Sequence, residues 1–133
     1  MGGPPKPPYC LGVEVILSVH GRVATALVLY YAAVGVWGLW LSVRKVGPTP
    51  GFRGAIVIAV IASAVQGALG LVLLAFSRPP QDSLHLLYGV ALVVAMPLAA
   101  SLARDRTGRT QSLALGLAAL FTAGLAIRGI ITA

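Results

Sequence analysis

The chain has 133 residues, 58% hydrophobic and only 10% charged, with a mean hydropathy of +0.92 and a formal net charge of +7. A soluble globular domain carries about 25% charged residues, so a soluble enzyme or binding module is excluded and the chain has to live in lipid. A spanning helix takes about 20 residues plus a short connector, which leaves room for about four spans and no sizeable extramembrane domain.

Residues 1–10, rich in proline and glycine and without apolar periodicity, read as an irregular leader. The order of a cleaved signal peptide, basic then apolar then small, is missing from them. Residues 11–133 read as one transmembrane domain. In the first span the uninterrupted apolar run is Val23 to Val43, ended by Arg44-Lys45, and the helix is expected from about residue 20 with the stretch before it continuing outward. Gly47, Pro48, Pro50 and Gly51 then stop any helix, and Arg53 opens a second span running to about Phe76. Arg78-Pro79-Pro80 ends it. The third span covers about 84–103 with Pro97 inside it and stops at Arg104-Asp105-Arg106, and the fourth covers about 111–132. The fold class expected is therefore all-α, an integral-membrane four-helix bundle.

The basic residues set its orientation. Arg44, Lys45 and Arg53 lie in one connector and Arg104, Arg106 and Arg109 in another on the same face, against Lys6 and Arg78 in the flanking segments opposite. By the positive-inside rule both termini lie outside, in a multi-pass protein of the cell membrane. Trp37 and Trp40 fall near the cytoplasmic end of the first span, where indoles settle at the interface. No basic patch with interleaved aromatics is present, so nucleic acid is not an expected partner, whereas membrane lipid is. The single cysteine, Cys10, rules out an internal disulfide and a cysteine-based zinc or iron–sulfur site.

Few side chains within the spans can do chemistry: Glu14, His20, Arg22, Gln66, His85 and Arg128. Polar groups at membrane depth are costly and usually face the bundle interior, which makes each of them a candidate. The two histidines stand out as a pair. Both lie on helices that run from outside to inside, and counting back from Arg44 and Arg104 puts them in the outer part of the bundle at depths differing by roughly a turn or two. They could face one another. Two facing neutral imidazoles suit a haem iron, which takes one nitrogen on each face of a flat apolar macrocycle. The lining should then be small, and Ala24 and Gly89 follow His20 and His85 by one turn, with Gly67 and Gly70 in the outer half of the second span. Arg22 and Arg128, at the outer rim, are candidates to pair with the haem propionates. Small residues also let membrane helices pack closely, which is the plain alternative for these glycines and for Gly12, Gly35 and Gly38.

The two halves of the chain are weakly alike. Each has a histidine, an apolar span, a basic connector and a glycine-containing return, Gln66-Gly67-Ala68-Leu69-Gly70 in one and Ala123-Gly124-Leu125-Ala126 in the other. A duplicated hairpin would set His20 and His85 on opposite sides of one ligand.

The succession His-Gly-Arg-Val-Ala at 20–24, the basic connector, Gln-Gly-Ala-Leu-Gly at 66–70 and Leu-His-Leu-Leu-Tyr-Gly at 84–89 resembles one four-helix half of the haem A synthase family, over about residues 20–103. That resemblance implies a b-type haem-binding bundle with His20 and His85 as axial ligands, and two copies together would rebuild a two-half assembly. The catalytic half of that family is similar to a Glu-x-x-His pattern, and here that position is Leu17, with Glu14 on a different side of the helix from His20. Electron transfer or haem handling, with haem b or another haem, is therefore expected rather than haem hydroxylation, and no catalytic residue is assigned. The partners implied are other membrane redox subunits or a quinone. Two alternatives stand beside it: a structural or assembly subunit without cofactor, and a small four-helix transporter using Glu14.

Overall fold

The computed structural model describes all residues except 1, 4, 6, 7, 77 and 78. Four helices make up the fold: α1 Pro8–Val43, α2 Pro50–Ala75, α3 Leu84–Leu102 and α4 Gly108–Ile131, with no strand among the described residues. Each is long and apolar enough to cross a membrane. The protein is thus an all-α, multi-pass membrane four-helix bundle. Lys6 and Arg78, two of the basic residues on which the orientation was weighed, lie outside the described residues.

The helix limits follow the apolar runs, with two corrections at prolines. Pro8, Tyr9 and Cys10, expected in an irregular leader, already belong to α1. Pro50, expected to stop a helix, instead opens α2, where the Thr49 hydroxyl accepts from Phe52 N at 3.2 Å. The physical reason is the same at both places: a first-turn residue needs no intrahelical N–H, and proline's fixed φ suits that position. The stop after α1 lies where the Arg44-Lys45 pair is expected to end the span: the φ of 58° at Lys45 lets Lys45 N reach Ser42 O at 3.0 Å and Val46 N reach Leu41 O at 2.9 Å. This pair of bonds closes the helix end in the Schellman manner.

Neighbouring helices around the bundle are α1 with α2, α2 with α3, α3 with α4, and α4 with α1. Hence α1 and α3 face each other across a diagonal. The seam between α1 and α4 is the tightest, because Gly35 and Gly38 meet Gly116 backbone to backbone: a Cβ on Gly38 would lie 2.6 Å from Gly116 Cα, and one on Gly116 would lie 2.9 Å from Leu39 N. Gly35 and Gly38 thus serve helix packing, as expected, whereas a Cβ on Gly12 would meet nothing within 4 Å.

The core is small and partly polar, and the outside is apolar. Tyr31, Phe52 and Met96 are completely buried, whereas Leu29, Leu71, Val90 and Phe121 are exposed where lipid would lie. Mid-bundle, the Tyr31 hydroxyl donates to Ala59 O at 3.2 Å and shares a 2.8 Å hydrogen bond with Ser63 Oγ. Tyr31→Phe is expected to cost only about 0.5–1.5 kcal/mol in detergent unfolding, because Ser63 can turn onto the Ala59 carbonyl of its own helix.

The basic end is closed by side chains that satisfy helix-end carbonyls. Gln111 Nε2 donates to Ala103 O at 3.2 Å, Ser112 Oγ donates to Val46 O at 2.8 Å, and Arg53 Nη2 donates to Gln111 Oε1 at 3.2 Å. Arg44, Lys45, Arg104, Arg106 and Arg109 stay exposed at this end. Arg44 lies 5.7 Å from the centre of the exposed Trp40 ring, as an interfacial anchor would, while Trp37 packs on Phe52 with ring centres 5.5 Å apart and planes at 74°.

Candidate functional site: a histidine pair across the bundle

At the other end, α1 and α3 carry the two histidines toward each other. The ring centroids of His20 and His85 are 6.0 Å apart, with the ring planes inclined at 58°. Both rings are half-buried. A separation of 6.0 Å leaves at most about one helical turn of depth between the rings, the lower end of the expected difference.

The two helices present the pair in the same way. His20, Ala24, Leu27 and Tyr31 share one face of α1, and His85, Gly89, Leu92 and Met96 share one face of α3 at the same spacing. In each, the small residue follows the histidine by one turn, and the leucine and the larger residue beyond it are buried.

Each histidine is also tied to the next helix. His85 Nδ1 lies 2.8 Å from Gly129 O of α4. A carbonyl can only accept, so Nδ1 carries the proton and donates it, and the neutral ring keeps its lone pair on Nε2. His20 is met by Gln66 of α2, whose Nε2 donates to His20 O at 3.0 Å and lies 3.4 Å from His20 Nε2. Gln66 is 6% exposed.

The remaining expected site residues divide. Gly70 belongs to the pair, since a Cβ there would lie 3.4 Å from His20 Cε1. Gly67 does not, because its Cβ position faces Val93 Cγ2 at 3.0 Å and so serves the contact of α2 with α3. Ala24 is half-buried one turn from His20. Gly89 has open space in its Cβ direction, with no atom within 4 Å. Arg128 is exposed but close by, its guanidinium 5.6 Å from the centre of the Tyr88 ring, three residues on from His85. Arg22 is exposed and about 200° around α1 from His20, so the structure does not bring it to the pair. Glu14 is half-buried on α1, about 9 Å nearer its start than His20 and on a different side.

Gln66 is a candidate of the sequence whose partner the sequence does not name, and Gly129 escapes it altogether. Gln66 was visible only as one amide in an apolar span, a polar group at membrane depth that needs a partner. Gly129 takes part through its carbonyl, which leaves no trace in residue type. In the expected counterpart of the Gln66 segment, Ala123 and Ala126 are buried in the core while Gly124 is exposed with open space in its Cβ direction; five residues farther on, Gly129 is the one whose carbonyl meets a histidine.

Among the described residues, no group of three or more His, Cys, Asp and Glu side chains could together hold a metal ion. The pair offers two protein donors. No known protein family, curated protein or solved structure matches this chain, so what the pair does has to follow from its own chemistry.

Proposed function

We propose that the protein is a small integral-membrane b-type cytochrome in which His20 and His85 hold one haem. The observation that carries this reading is the separation of the two rings. A metal held by two imidazoles at about 2.0 Å each puts their centres about 6 Å apart, and here they are 6.0 Å apart across the bundle diagonal.

The residues present fit the group in three respects. Two imidazoles complete a coordination sphere only when the other donors come with the ligand, as they do in a haem. His85 is held by Gly129 O with Nε2 free to ligate, the usual support of a metal-bound imidazole. No side chain fills the place beside Gly89, one turn from His85, where an added Cβ would meet no atom within 4 Å. When bound, the haem would supply reversible one-electron transfer at an iron whose two axial positions are both filled.

Around it the chain's own residues have separate tasks. Leu27 and Leu92 close the core beneath the pair against water, being 2% and 6% exposed. Arg128 is the cation on the correct side to meet a propionate, and Arg22 is not. A redox role calls for an electron donor and acceptor within the membrane, either another redox subunit or a quinone.

A structural or assembly subunit is the second reading, and one observation favours it. Each histidine already joins two helices, His20 to α2 through Gln66 and His85 to α4 through Gly129. An optical spectrum of the purified protein, oxidised and dithionite-reduced, separates the two. The cytochrome gives a Soret band with sharp reduced α and β bands, lost from both His20→Ala and His85→Ala. A colourless protein from haem-supplied cells would sink the cytochrome reading and leave the structural one.

A further inference from the structure

The buried side-chain polar atoms without a hydrogen-bond partner among the described residues are His20 Nδ1 and Gln66 Oε1. Both belong to the same contact. Buried polar atoms are nearly always satisfied, so two orphans in one place need a physical reason.

The reason follows from who can donate to whom. The Gln66 nitrogen lies 3.0 Å from His20 O, which can only accept. That fixes the amide orientation, since turning it over would press carbonyl oxygen against carbonyl oxygen. The same NH2 group therefore faces His20 Nε2 at 3.4 Å. A donor opposite Nε2 requires a lone pair there, so the proton of neutral His20 sits on Nδ1, where nothing receives it. His85 reaches the same tautomer by another route, its Nδ1–H donating to Gly129 O at 2.8 Å. Both imidazoles thus keep their lone pairs on Nε2.

We propose that Gln66 is the positioning residue of this site: it holds His20 as the Nδ1–H tautomer, so that both histidines offer Nε2, and its NH2 group is what an incoming metal displaces. The tautomer stands by itself; the displacement rests on the haem reading. On displacement Gln66 gives up only the long 3.4 Å contact and can keep its bond to His20 O. That contact is made only without the metal, so by itself it costs affinity, and excluding the Nε2–H form repays part of that cost; the two effects oppose, each no larger than one neutral hydrogen bond, about tenfold.

The test uses the full chain, labelled with 15N-histidine and purified in detergent from cells starved of haem, beside Gln66→Met, which preserves length and apolar fit. In the wild-type protein both histidines should show the proton on Nδ1. In Gln66→Met, His20 should shift toward the Nε2–H form while His85 is unchanged. His20 protonated at Nε2 in the wild type, or the same tautomer in both proteins, overturns the proposal, and the wild-type measurement needs no variant to fold. Haem titration gives the second readout: Gln66→Met should bind within about tenfold of the wild type, with the position of the reduced bands retained. A loss well beyond tenfold would mean that Gln66 contacts the bound ligand and is not displaced, and overturns the displacement. If the wild type takes up no haem, the cytochrome reading fails, and the tautomer spectra still decide the role of Gln66.

Discussion

Gly116→Val should break the bundle at its tightest seam. The first added carbon alone would stand 2.9 Å from Leu39 N, 3.0 Å from Gly38 C and 3.1 Å from Gly35 O. All three are backbone atoms and cannot turn aside, so α1 and α4 would have to separate. Overpacking a well-filled interior costs about 1–3 kcal/mol where side chains can adjust; here they cannot, and the loss should exceed that range. Gly116→Ala already meets the same three atoms and should fall within it. Gly54→Ala is the control, because a Cβ at Gly54 meets nothing within 4 Å, and in a helix interior alanine is favoured over glycine by roughly 0.5–1 kcal/mol. Denaturant titration of the purified protein in detergent should therefore order the variants Gly54→Ala, wild type, Gly116→Ala, Gly116→Val from most to least stable. Equal stability of Gly116→Val and wild type would mean that α1 and α4 do not approach as closely as the glycines indicate.

That seam marks the limit of what the sequence discloses. The spans were legible because apolar runs and basic interruptions are one-dimensional signals, and lipid imposes them on any helix that crosses it. Gly35 and Gly38 could be assigned to packing, but nothing in the chain order named Gly116 as their partner, since a backbone contact depends on the crossing of two helices far apart in sequence. Prolines were misread for a related reason. Pro8 and Pro50 break a helix only from within, and their place in a first turn is set by where the helix begins.

The histidine pair was partly legible. Two histidines on two helices of the same direction already implied a shared level, and the fold places their rings 6.0 Å apart. The lining was less legible, because a glycine in a membrane helix has the same appearance whether it admits a ligand or a neighbouring helix. Gly70, Gly67 and Gly89 show three outcomes: one lies against the His20 ring, one packs on Val93, and one faces open space. Arg22 shows the converse difficulty. Closeness in sequence to His20 suggested a shared task, yet two residues along a helix is more than half a turn, which sends the guanidinium to the far side.

Gly89→Leu should separate the two functional readings by moving two quantities in opposite directions. Gly89 lies one turn from His85 on the same side of α3, and its Cβ direction is open. In the protein without haem a leucine there has nothing to displace, and replacing an interior helical glycine should raise stability by up to about 1 kcal/mol. If a haem lies between His20 and His85, its ring needs the space beside that position. The leucine would then compete with the ligand directly, and forcing the two together at the overpacking cost of about 1–3 kcal/mol lowers haem affinity by roughly 5- to 150-fold. Haem titration and denaturant unfolding of the haem-free variant measure the two effects separately. Weaker haem binding with an equal or more stable fold supports a ligand seated between the helices. Unchanged haem binding would place the ligand elsewhere, and a variant that is less stable without haem would show that the space at Gly89 is filled by the protein itself.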